Sequence, residues 1–152
     1  MNTTLRFRIS YLGLLLALPL AAGTVRILQT NRAGDNVSVI DPVTNKVVGE
    51  IHGIEVNHGA AAAPDGSRYY ISNEGNSTLE IVDSKTLKVI KSVPLTGHPN
   101  NIPISKDGRR VYFGIAVAPG AVDVIGTTSP GSVQGIPGKG TGPDTSRKHA
   151  LT

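Results

Sequence analysis

The chain repeats itself at a fixed spacing, and that spacing leaves few folds open. VSVIDPVTNKVV (Val37–Val48) recurs as LEIVDSKTLKVI (Leu79–Ile90), and APDGSRYYISN (Ala63–Asn73) recurs as SKDGRRVYFGI (Ser105–Ile115). Asp41 and Asp83 lie 42 residues apart, as do Asp65 and Asp107. A period of ~40–45 residues holding four strand-like runs is the pattern of a propeller blade, a small sheet that buries its faces only against its neighbours. The expected fold class is all-β: an incomplete β-propeller built from four-stranded antiparallel blades.

The central unit reads strand by strand. Gly59–Ala63 is a short first strand, and Asp65-Gly66 reads as a two-residue hairpin turn needing positive φ. Arg68–Ser72 is the second strand, Asn73–Ser77 a turn-rich loop and Thr78–Val82 the third strand. Asp83–Thr86 is a turn with a side-chain acceptor at its head, and Leu87–Val93 is the fourth strand, ended by Pro94. The next unit places strands at Ile102–Ser105, Arg110–Ile115 and Val122–Ile125. Its last strand, within Ser132–Gly142, is weakened by several Gly and a Pro. The preceding unit starts at its second strand, Val25–Thr30, and continues with Val37–Ile40 and Lys46–Ile51. Residues 24–138 thus hold fewer than three blades, and residues 139–152 are expected to be a disordered tail. A ring closes with ~4–8 blades. The chain is therefore expected to be a truncated propeller, or a protomer that self-associates through its open blade faces.

The stretches APDG, YYISN, IVDSKTLKV and VIDPVTNKV, in that order and at one period, resemble the YVTN repeat of the YncE-like β-propellers. The resemblance spans about Val25 to Gly138. It implies blades around a central channel, seven being usual, and relatives among haem d1-type domains and lactonase-like propellers. It also implies that the junction before each first strand faces the channel mouth, where ligands bind.

Several function classes are disfavoured by composition. The chain has no Cys, which excludes a disulfide framework, a thiolate metal site and a Cys nucleophile. Its +4 net charge is not carried by the repeats. Of the 15 Lys and Arg, Arg6, Arg8, Lys139, Arg147 and Lys148 lie outside residues 24–128, leaving ten; of the 11 Asp and Glu, Asp144 alone lies outside, leaving ten. The neutral repeats give no strong nucleic-acid signal, which would need clustered excess positive charge. Arg6 and Arg8 precede an apolar run, Ile9–Leu20, that ends in Ala21, Ala22 and Gly23. This is the order of a secretory signal, so residues 1–23 are expected to direct the protein to the periplasm or the exterior. An uncleaved anchor is the competing reading.

His58 directly precedes a first strand, and Asn100 occupies the equivalent place one unit later. His98 sits in Gly97-His98-Pro99 between units. These three are the candidate ligand-binding residues; the plainer reading is of loop residues that hydrogen-bond the backbone. His98 and His52 are each a lone His, with no second His three or four residues away and no carboxylate at ligand spacing beside them, and no metal and no cofactor is assigned. GIPGKGTG (Gly135–Gly142) lacks the spacing of a phosphate loop, and no Ser-His-Asp set can be assembled, so no catalytic residue is assigned. Asp41, Asp65, Asp83 and Asp107 read as turn residues, Glu74 as a loop charge and Glu80 as a solvent-facing strand residue. Of each pair Tyr69/Tyr70 and Tyr112/Phe113, one ring should pack between blades and the other face the opposite side. The functional expectation is a non-catalytic binding or scaffold module for an unidentified protein or small molecule. The alternative is a fragment of a propeller enzyme or cofactor domain, lactonase-like or haem d1-like.

Overall fold

Among the described residues ten strands form three antiparallel sheets, each a simple meander in which every strand pairs with its neighbour in sequence. The computed structural model describes residues 25–128 and 132–138. The expected signal at 1–23 and the expected tail at 139–152 lie outside the described residues. Strands β1 (Ile27–Thr30), β2 (Asn36–Asp41) and β3 (Lys46–His52) make the first sheet. Strands β4 (Asn57–Ala62), β5 (Arg68–Asn73), β6 (Thr78–Asp83) and β7 (Val89–Pro94) make the second, complete sheet. Strands β8 (Arg110–Ile115), β9 (Ala121–Gly126) and β10 (Val133–Pro137) make the third.

The expected first strand of the third unit, Ile102–Ser105, forms only as a loose fourth edge. It touches β8 at two isolated bridges, Pro99↔Ile115 and Ile104↔Val111. The cause is local: Pro99 and Pro103 have no N–H to give to a ladder. The neighbouring groups still pair, Asn100 N–H to Gly114 O at 2.9 Å and Tyr112 N–H to Pro103 O at 3.0 Å. The weakened last strand does form, because Val133–Pro137 pairs in register with Ile125–Ala121.

The Asp-Gly turns are longer than a two-residue hairpin. Gly66 N–H donates to Ala63 O (2.8 Å), and Ala63 N–H donates to Arg68 O (2.9 Å), so four residues separate the paired ends. Gly108 and Ser105 repeat the same bonds. Only the glycines have positive φ, +70° at both Gly66 and Gly108. The aspartates instead hold the turn with their carboxylates: Asp65 Oδ1 accepts from Ser67 N–H (3.0 Å) and Asp107 Oδ1 from Arg109 N–H (3.0 Å). The turns between the third and fourth strands are tied likewise. Asp41 Oδ1 accepts from Val43 N–H, and Asp83 Oδ1 from the N–H groups of Lys85 and Thr86. The residues closing these turns, Asn45 and Leu87, lie at φ 54° and 57°. Asn tolerates that conformation and Leu does not. Leu87 is held there by packing across the blade boundary: a Cβ at Gly49 would lie 2.5 Å from its Cδ1. This moves the start of the last strand from Leu87 to Val89.

Two apolar layers separate the three sheets. One contains Val37, Val39, Ile51 and Ile54 from the first unit against Tyr69, Ile71 and Val82 from the second. The other contains Tyr70, Leu79, Ile81 and Val93 from the second unit against Val111, Phe113, Ile115 and Ile125 from the third. The central sheet is thus covered on both faces, with alternate residues going to opposite layers as strand geometry requires. Tyr69 and Tyr70 divide between the layers as expected. The ladders between third and fourth strands slip at Val39/Ile40 and at Ile81/Val82, the same repeat position. Each slip is a bulge in an outermost strand, and it leaves Val48 and Ile90 outside the ladder and about half exposed. Bulges twist an edge away from further pairing.

The turn carboxylates make stability acid-sensitive. The Asp65 and Asp83 carboxyls are held below the ordinary value chiefly by backbone N–H groups, of Ser67 and Thr86, and Asp107 chiefly by the Ser105 hydroxyl. A folded pKa below the unfolded one contributes stability above the unfolded value, lost as pH falls through the folded value. The urea midpoint should therefore hold at neutral pH and drop below about pH 4. Asp83→Asn should narrow the gap between midpoints at pH 6 and pH 3; an unchanged gap would remove Asp83 from the account.

Candidate functional site

At the end of the sheets opposite the Asp-Gly turns, the second-to-third strand loops meet the starts of the innermost strands. The inner strands are anchored there by a repeated inter-blade bond. Thr30 Oγ1 donates to His58 O and, one repeat on, Ser72 Oγ donates to Asn100 O, both at 3.2 Å. Gly59 N–H donates in turn to Ser72 Oγ at 2.8 Å. Small residues are needed at this crossing: a Cβ at Gly59 would lie 3.0 Å from Asn100 O and 3.2 Å from Ile102 N.

With its carbonyl tied, His58 turns its ring to Glu74, and Nε2 lies 3.4 Å from Glu74 Oε2. The same oxygen accepts from Arg32 Nη2 at 3.3 Å. Glu74 Oε1 lies 4.0 Å from His98 Nδ1. One carboxylate therefore draws together residues from three successive units. The group stays open to solvent: the Arg32 and His98 side chains are 61% and 57% exposed, and Glu74 is 24% exposed. Glu55 lies alongside, against Gly75. Asn100 takes part in this end of the molecule through its backbone, accepting from Ser72 and donating to Gly114. Among the described residues no group of three or more His, Cys, Asp and Glu is placed to hold a metal ion.

Sequence reasoning singled out His58 and His98 but took Glu74 as a plain loop charge. The missed signal is in the repeat itself. Arg32 and Glu74 occupy the same position in adjacent units, 42 residues apart, with opposite charges. A charge reversal at equivalent positions on neighbouring blades sets up an inter-blade ion pair.

Glu80 is not solvent-facing. It is 5% exposed, on the face of the central sheet turned to the first unit. Its Oε1 accepts from Thr78 Oγ1 (2.6 Å) and Asn73 Nδ2 (3.4 Å), and its Oε2 accepts from Ser92 Oγ. Asp123 holds the equivalent position in the third unit, fully buried, accepting from Thr96 N–H (2.7 Å) and Thr96 Oγ1 (2.8 Å). The alternation rule identified the face but not whether a sheet would cover it. These carboxylates are satisfied within the fold, and their role is structural.

At the opposite end, a cleft of about 430 Å³ opens between the two Asp-Gly turns, lined by Pro64, Asp65, Arg68, Tyr70, Asp107 and Thr127 among others. Burial pushes the Tyr70 hydroxyl above its ordinary pKa, so it stays a neutral donor.

No family model matches the chain, and no curated protein matches it. Solved structures do. The chain is similar to hydrazine synthase from Kuenenia stuttgartiensis, with TM-score 0.74 and 29% identity over 78% of this chain and 34% of that one. It is similar to the dihydro-heme d1 dehydrogenase NirN in complex with DHE, with TM-score 0.60 and 24% identity over 75% of this chain and 24% of that one. It is also similar to apo AztD from Citrobacter koseri, with TM-score 0.63 and 17% identity over 79% of this chain and 34% of that one. These are β-propeller proteins, and the chain spans about a third or less of their length. The fold is an incomplete all-β propeller, its three sheets being successive blades.

The two glutamates should separate cleanly in denaturation experiments. Glu80→Ala leaves Asn73, Thr78 and Ser92 without their shared acceptor and should cost about 1–3 kcal/mol. Glu74→Ala removes only partly exposed ion pairs and should cost under about 1 kcal/mol. Equal losses in urea titrations would contradict this division of roles.

Proposed function

We propose that the chain is a segment of an exported, YVTN-type propeller that binds a polar partner at the mouth formed by the starts of its innermost strands, without catalysing a reaction. One observation carries the reading: Arg32, His58 and His98, from three blades, converge on Glu74 while remaining accessible to solvent. A site assembled from several blades is rigid in its backbone and open in its side chains. Such a site recognises the shape and charge of a ligand that lies across the mouth. Arg32 and the two imidazoles offer donors to an anionic group, and Glu74 offers an acceptor beside them. Export is part of the same proposal and rests on the order of basic, apolar and small residues over 1–23.

The test is a titration with succinate and with inorganic phosphate, followed through the imidazole ring signals of His58 and His98. Both rings should shift together and saturably, with affinity near or tighter than about 1 mM. Arg32→Ala should abolish the response. No saturable shift with either anion would defeat the reading. A haem absorbance band displaced by His58→Ala or His98→Ala would favour the cofactor-domain alternative, and steady lactone hydrolysis the enzyme alternative. Sequencing of the mature N-terminus from an exporting host should start just after Gly23; retention of the protein inside the cell would remove export from the proposal.

A further inference from the structure

The cleft of about 430 Å³ at the Asp-Gly end is bounded wholly by the second and third blades. One wall carries Asp65, Arg68 and Tyr70; the other carries Asp107, Gly108 and Thr127. The walls are close and firmly held. A Cβ at Gly108 would lie 2.8 Å from Pro64 Cδ, so the two turns touch. Thr127 N–H donates to Arg109 O at 3.0 Å, and Thr127 Oγ1 donates to Gly108 O at 2.7 Å. These bonds tie the turn of the third blade to the end of β9.

The fold does not use up the polar groups of this cleft. Tyr70 is 3% exposed, its ring packed in the layer that holds Leu79, Val111 and Ile125. Among the described residues no acceptor takes the proton of its hydroxyl, and a buried donor left unmatched costs stability. Burial keeps that hydroxyl protonated, outweighing the opposite pull of the neighbouring Arg68 guanidinium. Arg68 belongs to none of the ion pairs among the described residues. Each aspartate spends Oδ1 on its own turn, Asp65 on the N–H and hydroxyl of Ser67, Asp107 on Arg109 N–H and the Ser105 hydroxyl. Oδ2 of each remains an acceptor. The set also recurs: Asp107, Arg110 and Tyr112, each 42 residues on, line a second cleft of about 460 Å³. The turn bonds need neither the Arg nor the Tyr side chain, so turn geometry does not account for the recurrence.

We propose that the cleft between the second and third blades binds a free α-amino acid with a basic side chain, separately from the mouth around Glu74. The ligand carboxylate meets the Arg68 guanidinium and the Tyr70 hydroxyl, and its ammonium groups meet Asp65 and Asp107. The signs of the lining select this class. A simple anion would face two carboxylates, and a simple cation would face Arg68. A ligand with both charges a few ångströms apart meets each wall with the opposite sign. Two carboxylates against one guanidinium leave an excess of negative charge, which a second ammonium offsets. The planar guanidinium pairs with a carboxylate through two parallel bonds, and a neutral hydroxyl beside it adds a donor without adding charge. The volume lies in the ordinary range for small-molecule sites.

The experiment is a titration of the full chain with L-lysine, followed through the ring signals of Tyr70, at the opposite end of the sheets from the imidazoles. The signals should shift saturably, with affinity near or tighter than about 1 mM. Nα-acetyl-L-lysine lacks the α-ammonium and L-lysinamide lacks the carboxylate; each should bind about 10-fold or more weakly. L-norleucine, which lacks the side-chain charge, should also bind more weakly than L-lysine. Arg68→Gln should bring L-lysine down to the level of L-lysinamide and leave L-lysinamide unaffected, a pattern that a purely structural Arg68 would not give. Asp107→Asn keeps the turn acceptor and should weaken L-lysine while leaving Nα-acetyl-L-lysine unaffected, which keeps the test valid if the Arg68 variant fails to fold. No saturable shift overturns the proposal. Equal binding of L-lysinamide would mean a plain cation site, equal binding of Nα-acetyl-L-lysine a site blind to the α-ammonium, and equal binding of L-norleucine a site blind to the side-chain charge; each overturns it.

Discussion

A four-stranded sheet of this size has two apolar faces and no core of its own, so its stability comes from the sheets on either side. Everything else in the chain follows from that constraint. The central blade meets it twice, with Tyr69, Ile71 and Val82 on one side and Tyr70, Leu79, Ile81 and Val93 on the other. It is also the only complete four-stranded sheet among the described residues. Among the described residues the outer two blades are covered on one face each. The loose innermost edge of the third blade can persist because its backbone is tied at intervals, Ser105 and Asn100 donating where Pro99 and Pro103 cannot.

Within the apolar layers a single polar position repeats, and it shows how the repeat drifts without losing its physics. The carboxylate is on the third strand as Glu80 and Asp123 but on the fourth as Glu50, with the hydroxyl exchanging places. What persists is an acceptor matched by donors, exposed as Glu50 but buried as Glu80 and Asp123, where an unmatched one would cost more than the pair gains. Glu80 takes three donors, and Asp123 takes both the N–H and the hydroxyl of Thr96. Such a position also resists slippage. Moving one strand by a residue would swing the carboxylate out of its donors and an apolar side chain into them.

The period, the strands and the turn aspartates were legible because each depends on neighbours in sequence. A carboxylate two residues ahead of a backbone N–H, or Gly at a positive-φ position, can be read from a few residues. The hairpin length was misread because Pro64 and Asp65 favour a turn in which only the last residue, Gly66, needs positive φ. Leu87 was misread as strand because its unfavourable backbone angle is sustained by Gly49, which lies in another blade. Glu80 was placed in solvent because alternation tells which residues share a face, not which face is covered. The Glu74 group was invisible for the same reason: it joins positions 16, 24 and 42 residues from Glu74, a distance only the stacking of blades can close.

The two ends of the sheets have diverged to different degrees, and that difference is where function can enter a repeat. At the Asp-Gly end the same turn is built twice with the same backbone bonds and the same aspartate contact. At the other end the backbone clamp is kept while the side chains around it change. Thr30 and Ser72 make the same bond to the same carbonyl, yet the residues bearing that carbonyl are His58 and Asn100. Arg32 becomes Glu74, and Val56 becomes His98, at equivalent positions of the repeat. A scaffold that fixes its carbonyls leaves its side chains free to vary without cost to the fold. The change of charge from Arg32 to Glu74 and the change from Val56 to His98 lie together at this end, and neither disturbs the clamp that holds the inner strands.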